Sequence, residues 1–128
     1  MKNTLLKISI ILISITFLSG CIDGSFKEMY AQFNDAITKR DTYKIKQYTT
    51  DHGMERIAYN FGDLTNSKNK NALFHEIHNV FSDPIFEKKS DSVIYVSSER
   101  VTAFTSGTYM TFIKREGQWF LDDYRRGK

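Results

Sequence analysis

Between residues 26 and 81, apolar residues recur every three or four positions, a spacing typical of amphipathic helices with one buried face. Ser25 and Glu28 fit a capping box, which predicts that the first helix is capped by Ser25. The apolar stripe of this helix consists of Phe26, Met29, Tyr30, Phe33 and Ile37. The first half of the domain is therefore predicted to begin with a long helix.

Three further helices are predicted before residue 85. Asp41 is positioned to cap a short second helix, Gly62 ends the third, and Pro84 ends the fourth. Residues 65–70, TNSKNK, are predicted to form a polar loop between the third and fourth helices. The apolar positions of these helices are Tyr43, Ile45 and Tyr48; Met54, Ile57, Ala58 and Phe61; and Leu73, Phe74, Ile77 and Phe81.

The pattern changes after Pro84 to short runs rich in β-branched and aromatic residues, which favour strands. These runs are residues 85–89, 93–98, 100–106, 109–115 and 118–124. Glu116 and Gly117 separate the last two, and glycine can adopt the positive φ of a tight hairpin turn. Helices followed by antiparallel strands predict an α+β domain with the helices packed on one face of a sheet of about four to five strands.

The first twenty residues have a different pattern, that of a secretory signal peptide. Lys2 and Lys7 give a positive start, residues 8–18 are almost entirely apolar, and Ser19 and Gly20 are small. A membrane-spanning helix needs roughly 20 apolar residues, so this run is too short to be a permanent span. The prediction is a cleaved signal at residues 1–20, a tether at residues 21–25 and one domain at residues 26–128.

Leu18-Ser19-Gly20-Cys21 resembles the bacterial lipobox. The resemblance implies cleavage by signal peptidase II before Cys21 and attachment of lipid, with acyl chains such as palmitate, to the Cys21 thiol. Two or three acyl chains hold a protein firmly on a membrane. The alternatives are an ordinary signal peptide with a chance cysteine and a buried core cysteine.

The lipobox implies an address in the bacterial cell envelope, on the outer side of the inner membrane. In enterobacterial lipoproteins, an Asp directly after the lipidated Cys favours retention there. Here Ile22 holds that place and Asp23 comes one position later, so the outer membrane is expected if the host is Gram-negative.

Charge and cysteine content narrow the function classes. Loss of the two signal lysines lowers the formal net charge from +3 to +1. Such a near-neutral domain gives no electrostatic reason to expect nucleic acid as a partner. Cys21 is the single cysteine of the chain, so no intramolecular disulfide can form.

Two stretches resemble the nuclear-transport-factor-two-like superfamily, closest to bacterial lipoproteins with a lumazine-binding-like or cystatin-like domain of unknown function. They are residues 33–41, FNDAITKRD, continuing into residues 45–48, and residues 114–121, KREGQWFL. The resemblance implies a curved sheet wrapped against helices around a conical cavity, which is catalytic in some members and a docking site in others. Arg40 stands where many members have Gly.

His75 and His78 are the candidate metal ligands. They share a helix face at spacing i, i+3, rather than the i, i+4 of the zinc-protease motif, and His52 is a conceivable third ligand. The alternative is a helix flank between the buried stripe and solvent. Since the spacing indicates no third ligand, no metal and no cofactor are expected.

Asp122 and Asp123 are the candidate acid–base residues, and only one of two adjacent strand residues can face a cavity. Asp123 is a candidate general base, provided that burial raises its pKa, with His75, Tyr109 or Tyr124 as a companion. The alternative is a solvated charge beside the arginines at the chain end. The sequence contains no Gly-rich phosphate loop and no Gly-x-Ser-x-Gly elbow.

The sequence therefore favours a non-enzymatic ligand- or protein-binding module at the envelope. Its partners would be the membrane, through lipid on Cys21, and an envelope protein or a small apolar ligand, with a homodimer also possible. Two alternatives stay open: a small cavity enzyme of isomerase or hydrolase type that uses an Asp/His/Tyr set, and an immunity or surface-exclusion lipoprotein.

Overall fold

The computed structural model describes residues 22–98 and 107–127. The predicted signal peptide, Cys21 and the predicted strand at residues 100–106 lie outside the described residues. The described helices are α1 (Gly24–Thr38), α2 (Thr42–Gln47), α3 (Asp51–Phe61) and α4 (Ser67–Val80). None of them is both long and apolar enough to cross a membrane.

The described strands are β1 (Pro84–Ser90), β2 (Val93–Ser98), β3 (Tyr109–Arg115) and β4 (Gln118–Arg125). They form one antiparallel sheet in the order β1-β2-β3-β4. The predicted α+β class, with helices first and an antiparallel sheet after them, is confirmed. Bulges in β1, between Lys88 and Ser90, and in β4, opposite Thr111 and Phe112, interrupt the register and bend those strands.

The cap of α1 differs from the prediction. Asp23 is the N-cap residue, and its Oδ1 accepts a hydrogen bond from the Ser25 backbone N–H at 3.0 Å. Aspartate caps as well as serine does, so the helix begins at Gly24. The Ser25 hydroxyl instead accepts a hydrogen bond from Trp119 Nε1 at 3.3 Å.

The polar loop predicted at residues 65–70 is also partly wrong. Helix α4 already begins at Ser67, and its N-cap residue Asn66 accepts from the Lys68 backbone N–H at 2.9 Å. The first turn of α4 is polar, with Ser67 and Lys68 exposed and Asn69 bonded to the Asp63 carbonyl at 2.8 Å, so it shows no apolar period. In α2, Tyr43 is 72% exposed, since this six-residue helix buries only Ile45; Ala58 of α3 is exposed as well.

Helix α1 ends in a Schellman motif centred on Arg40. The Arg40 N–H donates to the Ile37 carbonyl and the Asp41 N–H donates to the Ala36 carbonyl, both at 3.0 Å. This pattern requires a left-handed residue, and Arg40 has φ +51°. Its side chain donates to the Thr38 carbonyl at 2.6 Å, and its guanidinium lies 3.8 Å from the Phe74 ring centroid.

One face of the sheet packs against the helices and forms an aromatic core. Phe26 of α1 is fully buried at its centre, with edge-to-face contacts to Phe112 and Trp119 at 5.3 Å between ring centroids. Such pairs contribute about 0.5–1.5 kcal/mol each beyond their buried area. The buried side chains that the sheet supplies are Ile94, Val96, Met110, Phe112, Trp119, Leu121 and Tyr124.

The outer edge of β4 is covered by the chain between α2 and α3. The Leu121 N–H donates to the Tyr48 carbonyl at 2.8 Å, and the Thr50 N–H donates to the Leu121 carbonyl at 2.9 Å. Gly53 in the first turn of α3 permits this approach, because a Cβ there would overlap the Leu121 carbonyl oxygen. Helix α3 is thereby held along β4.

Candidate functional site

The face of the sheet turned away from the core forms a mixed aromatic and charged surface, here called the open face. Strand alternation and the observed register place these side chains on it: Ile85, Glu87, Lys89, Val93, Tyr95, Ser97, Tyr109, Thr111, Ile113, Phe120, Asp123 and Arg125. Among the contacts of the described residues, helix α3 reaches the open face at the β4 edge, through Arg56. Ile85 is 43% exposed there.

A pair of tyrosines lies on the two inner strands of the open face. Tyr95 of β2 and Tyr109 of β3 stack with 5.4 Å between ring centroids and 27° between planes. Lys89 Nζ lies 5.0 Å from the Tyr95 centroid, and the Arg125 guanidinium lies 6.0 Å from the Tyr109 centroid. The two rings are thus flanked by a cation on each side.

Each of these cations is paired with an acid on the same face. Lys89 Nζ contacts Glu87 Oε1 at 2.8 Å, and Arg125 Nε contacts Asp123 Oδ2 at 3.2 Å. The hydrogen bond to Glu87 raises the pKa of Lys89. The open face therefore combines a partly buried aromatic centre with ion pairs near the two edges of the sheet.

Asp123 is not free to act as a base. Its Oδ1 contacts Arg56 Nε at 3.2 Å while Oδ2 contacts Arg125, and its side chain is 17% exposed. Asp122 occupies the bulge of β4, and its Oδ1 accepts from the Thr50 hydroxyl at 2.8 Å. Both aspartates are thus held in structural contacts, and Asp123 reaches Tyr109 through Arg125.

The histidines lie elsewhere. His75 and His78 of α4 are exposed and pack on the Phe74 ring, with centroids 5.4 and 4.5 Å away. His52 belongs to α3 and lines a groove beside the β3–β4 turn with Asp122. Within the described parts of the chain, no group of three side chains is arranged to hold a metal ion.

Tyr124 belongs to a polar network at the C-terminal end of β4. Its hydroxyl donates to Glu76 Oε2 at 2.6 Å, and Arg126 Nη2 contacts Glu76 Oε1 at 2.7 Å. Asn60 donates to the Tyr124 carbonyl at 2.9 Å. Burial, and next the Glu76 carboxylate, raise the pKa of Tyr124 well above 10, so this phenol stays neutral and ties β4 to α4.

Three solvent-open grooves lie on the described surface. The groove with His52 and Asp122 has a volume of about 890 Å³, a second beside Gln32 and Tyr48 about 530 Å³, and a third beside His75 and Arg126 about 670 Å³. Asp123 and Tyr109 line none of them. The grooves therefore do not bring the Asp/His/Tyr set together.

The sequence interpretation missed the Glu76 network, although a signal for it was present. Glu76 follows the buried Leu73 by three positions and precedes the buried Val80 by four, so it lies on the core-facing side of α4. A carboxylate at that place needs a partner. The partners Tyr124 and Arg126 come from the far end of the chain.

No known protein family, curated protein or solved structure matches this chain in comparisons with each.

Proposed function

We propose that this chain is a lipid-anchored protein of the bacterial cell envelope whose domain binds another protein through the open face, without catalysing a reaction. The observation that carries the proposal is the stacked Tyr95–Tyr109 pair, flanked by Lys89 and Arg125, on a face that the described helices contact at the β4 edge, through Arg56. Tyrosine and arginine are among the residue types that contribute most binding energy at protein interfaces.

The packing favours a protein partner over a small apolar ligand. The space between helices and sheet is filled by side chains such as Phe26, Phe33 and Phe112, all fully buried. Small-molecule sites are usually enclosed and mostly apolar, whereas the grooves in the described surface are open and carry charged residues. The partner that fits the open face is a protein surface with an apolar centre and both acidic and basic groups around it.

The enzyme alternative gains no support from the arrangement of its candidate residues. The Asp123 carboxylate forms ion pairs with two arginines, and the Tyr109 ring stacks on Tyr95. His75 lies in a groove that contains neither of them. A general base must come within hydrogen-bond reach of the proton that it removes, and here the acid–base candidates do not converge.

The anchor and the fold family are parts of the same proposal. The lipobox resemblance supports lipid on Cys21 and an envelope address, on the outer membrane if the host is Gram-negative. The left-handed φ of Arg40 supports a nuclear-transport-factor-two-like domain, since glycine, which many members have there, adopts that conformation without strain.

Photo-cross-linking in the producing cells tests the binding proposal. A benzoylphenylalanine placed at Ile85 reports on the open face, and one at Tyr43 of α2, which is 72% exposed, is the matched control. We expect one discrete adduct with a different protein from position 85, none from position 43, and loss of the adduct when Tyr95→Ser removes the stack. Absence of an adduct at 85, or equal adducts at both positions, would overturn the proposal. An adduct with the mass of two chains would contradict a separate partner.

A further inference from the structure

We infer that the end of the domain with the two hairpin turns rests against the lipid headgroups of the membrane. This end, here called the turn end, consists of Asp23, the β1–β2 turn at Asp91 and Ser92, and the β3–β4 turn at Glu116 and Gly117. The inference rests on the proposed lipid at Cys21 and adds an orientation to it.

The start of the described chain leaves almost no tether. Ile22 packs against the core, and the Asp23 carbonyl accepts from the Phe26 N–H at 3.0 Å within the first turn of α1. Consecutive Cα atoms are about 3.8 Å apart, so Cys21 lies one peptide unit from a residue that is fixed to the domain. Lipid on Cys21 would therefore hold this part of the domain at the membrane surface.

Side-chain contacts and one backbone hydrogen bond join the start of α1 to the two turns. Asp23 Oδ2 contacts Lys114 Nζ at 3.3 Å, and the Lys114 backbone N–H donates to the Ser92 carbonyl at 2.9 Å. Trp119, the second residue of β4, donates to Ser25 at 3.3 Å. The anchor-proximal residues and both turns therefore belong to one end of the molecule.

The opposite end lies one strand length away. Strand β4 runs from Gln118 to Arg125, and eight residues at roughly 3.3 Å each span about 25 Å. Tyr59 of α3 and Arg126 line the groove at that far end. With the turn end at the headgroups, this groove points away from the membrane and the open face stands sideways to it.

The turn end is built to rest on the headgroups rather than to insert. The lysines beside the turns have acidic partners, in Lys114–Asp23 and the 3.2 Å Lys88–Asp91 pair, and the exposed Arg115 is followed directly by Glu116. The large apolar side chains exposed on the described surface, Tyr43, Tyr59 and Ile85, are not part of either turn. Such a surface has little net attraction for anionic lipid, so its orientation should depend on the acyl anchor and change little with salt.

Energy transfer from tryptophan to a headgroup dye tests the orientation. Trp119 is the single tryptophan of the chain and lies beside the β3–β4 turn. The protein extracted from the membranes of the producing cells and reconstituted in vesicles with a dansyl-labelled headgroup lipid is compared with a Trp119→Phe/Tyr59→Trp variant, prepared in the same way, that moves the fluorophore to the far end. We expect transfer several-fold stronger from position 119 than from position 59, at both low and high salt.

The outcomes separate the orientation from the anchor. Intact mass of the same vesicle sample shows whether residue 21 carries acyl groups. An acylated protein with equal transfer from both positions would overturn the orientation and leave the anchor standing, whereas an unacylated protein would overturn both. If the double variant does not fold, amide exchange of the wild type in detergent and in vesicles replaces it: slower exchange at Glu116–Gly117 in vesicles supports the orientation, and unchanged exchange there contradicts it.

Discussion

Arg40 shows how one side chain can offset an unfavourable backbone conformation. Its φ of +51° is in the left-handed region, which costs a non-glycine residue roughly 1–2 kcal/mol. The side chain offsets this through its bond to the Thr38 carbonyl, a 3.0 Å bond to Asn71 and its position over Phe74. Arginine is therefore tolerated at a position where the backbone conformation alone favours glycine.

Substitutions at Arg40 separate the backbone cost from the side-chain contacts. Arg40→Ala and Arg40→Gly lose the same contacts, but only glycine relieves the left-handed strain. We expect Arg40→Gly to be more stable than Arg40→Ala by about 1 kcal/mol, measured as the difference between their free energies of unfolding in urea. Equal stabilities would show that the left-handed conformation costs this chain nothing.

Tyr124 is the buried polar residue on which the end of β4 depends. Tyr124→Phe removes the donor to Glu76, and a buried acceptor left without its partner costs about 1–3 kcal/mol. We expect the free energy of unfolding, measured in urea, to fall by that amount. Tyr59→Phe, at a position 78% exposed, is the control and should change stability by less than about 0.5 kcal/mol.

The same tyrosine predicts a loss of stability at alkaline pH. Burial and Glu76 raise the pKa of Tyr124 in the folded protein above the ordinary value of 10.0. Its contribution to stability is therefore complete below pH 10 and is lost as the pH rises above it. The difference in unfolding free energy between wild type and Tyr124→Phe should shrink as the pH is raised through 10; a constant difference would contradict this role.

Asp23 gives the opposite pH dependence. Hydrogen bonds from Ser25, and then Lys114, lower the pKa of Asp23 below 3.8, so its contribution is complete above that pH and is lost as the pH falls through the lowered value. Asp23→Ala removes the helix cap at a cost of about 1 kcal/mol, whereas Asp23→Asn retains a cap and loses mainly the exposed ion pair. We expect Asp23→Asn to have a larger free energy of unfolding in urea at neutral pH than Asp23→Ala. The reverse order would contradict the capping role.

At the scale of elements, the contact between α3 and β4 depends on Gly53. A Cβ there would overlap the Leu121 carbonyl oxygen and lie 2.7 Å from Thr49 Cγ2. We expect Gly53→Ala to destabilise the protein by about 1–3 kcal/mol, as overpacking does, although alanine favours a helix. Gly24→Ala is the control, since nothing lies within 4 Å of the added carbon, and it should be neutral or stabilising. Thermal unfolding of both variants tests this, and equal shifts would contradict a packing role for Gly53.

The sequence predicts the elements well where a buried face repeats and poorly where it does not. The stripe from Phe26 to Ile37 located α1 because α1 packs on the core along its length. The start of α4 was placed too late, because residues 67–70 are all polar and only the Asn66 cap marks the helix start. Tyr43 was predicted as part of an apolar face because a six-residue helix is too short for periodicity to be tested.

The candidate site was predictable only in part, because its contacts depend on strand register. Tyr109 was a candidate from the sequence, but its neighbour Tyr95 is fourteen positions earlier in the chain and meets it only through the pairing of β2 with β3. Likewise, Asp123 contacts Arg56 rather than His75 because α3, not α4, lies along β4. Local patterns cannot indicate which helix takes that place.

At the scale of the whole molecule, the proposed anchor, the turn end and the open face form one arrangement. Lipid on Cys21 would place the turn end at the membrane, and the strands would then run away from it. The open face would be presented sideways, toward other proteins held at the same membrane. The anchor and the orientation depend on lipid at a single residue, Cys21, whereas binding through the open face rests on the Tyr95–Tyr109 pair.

Intact mass spectrometry of the wild type and of Cys21→Ser, each from membrane and soluble fractions, is the most direct test of this arrangement. We predict that the membrane-bound wild type has the mass of the chain from residue 21 plus acyl groups, and that Cys21→Ser has no acylated form. A wild-type chain with an unmodified Cys21 in the soluble fraction would contradict the lipid anchor and, with it, the orientation inferred for the domain.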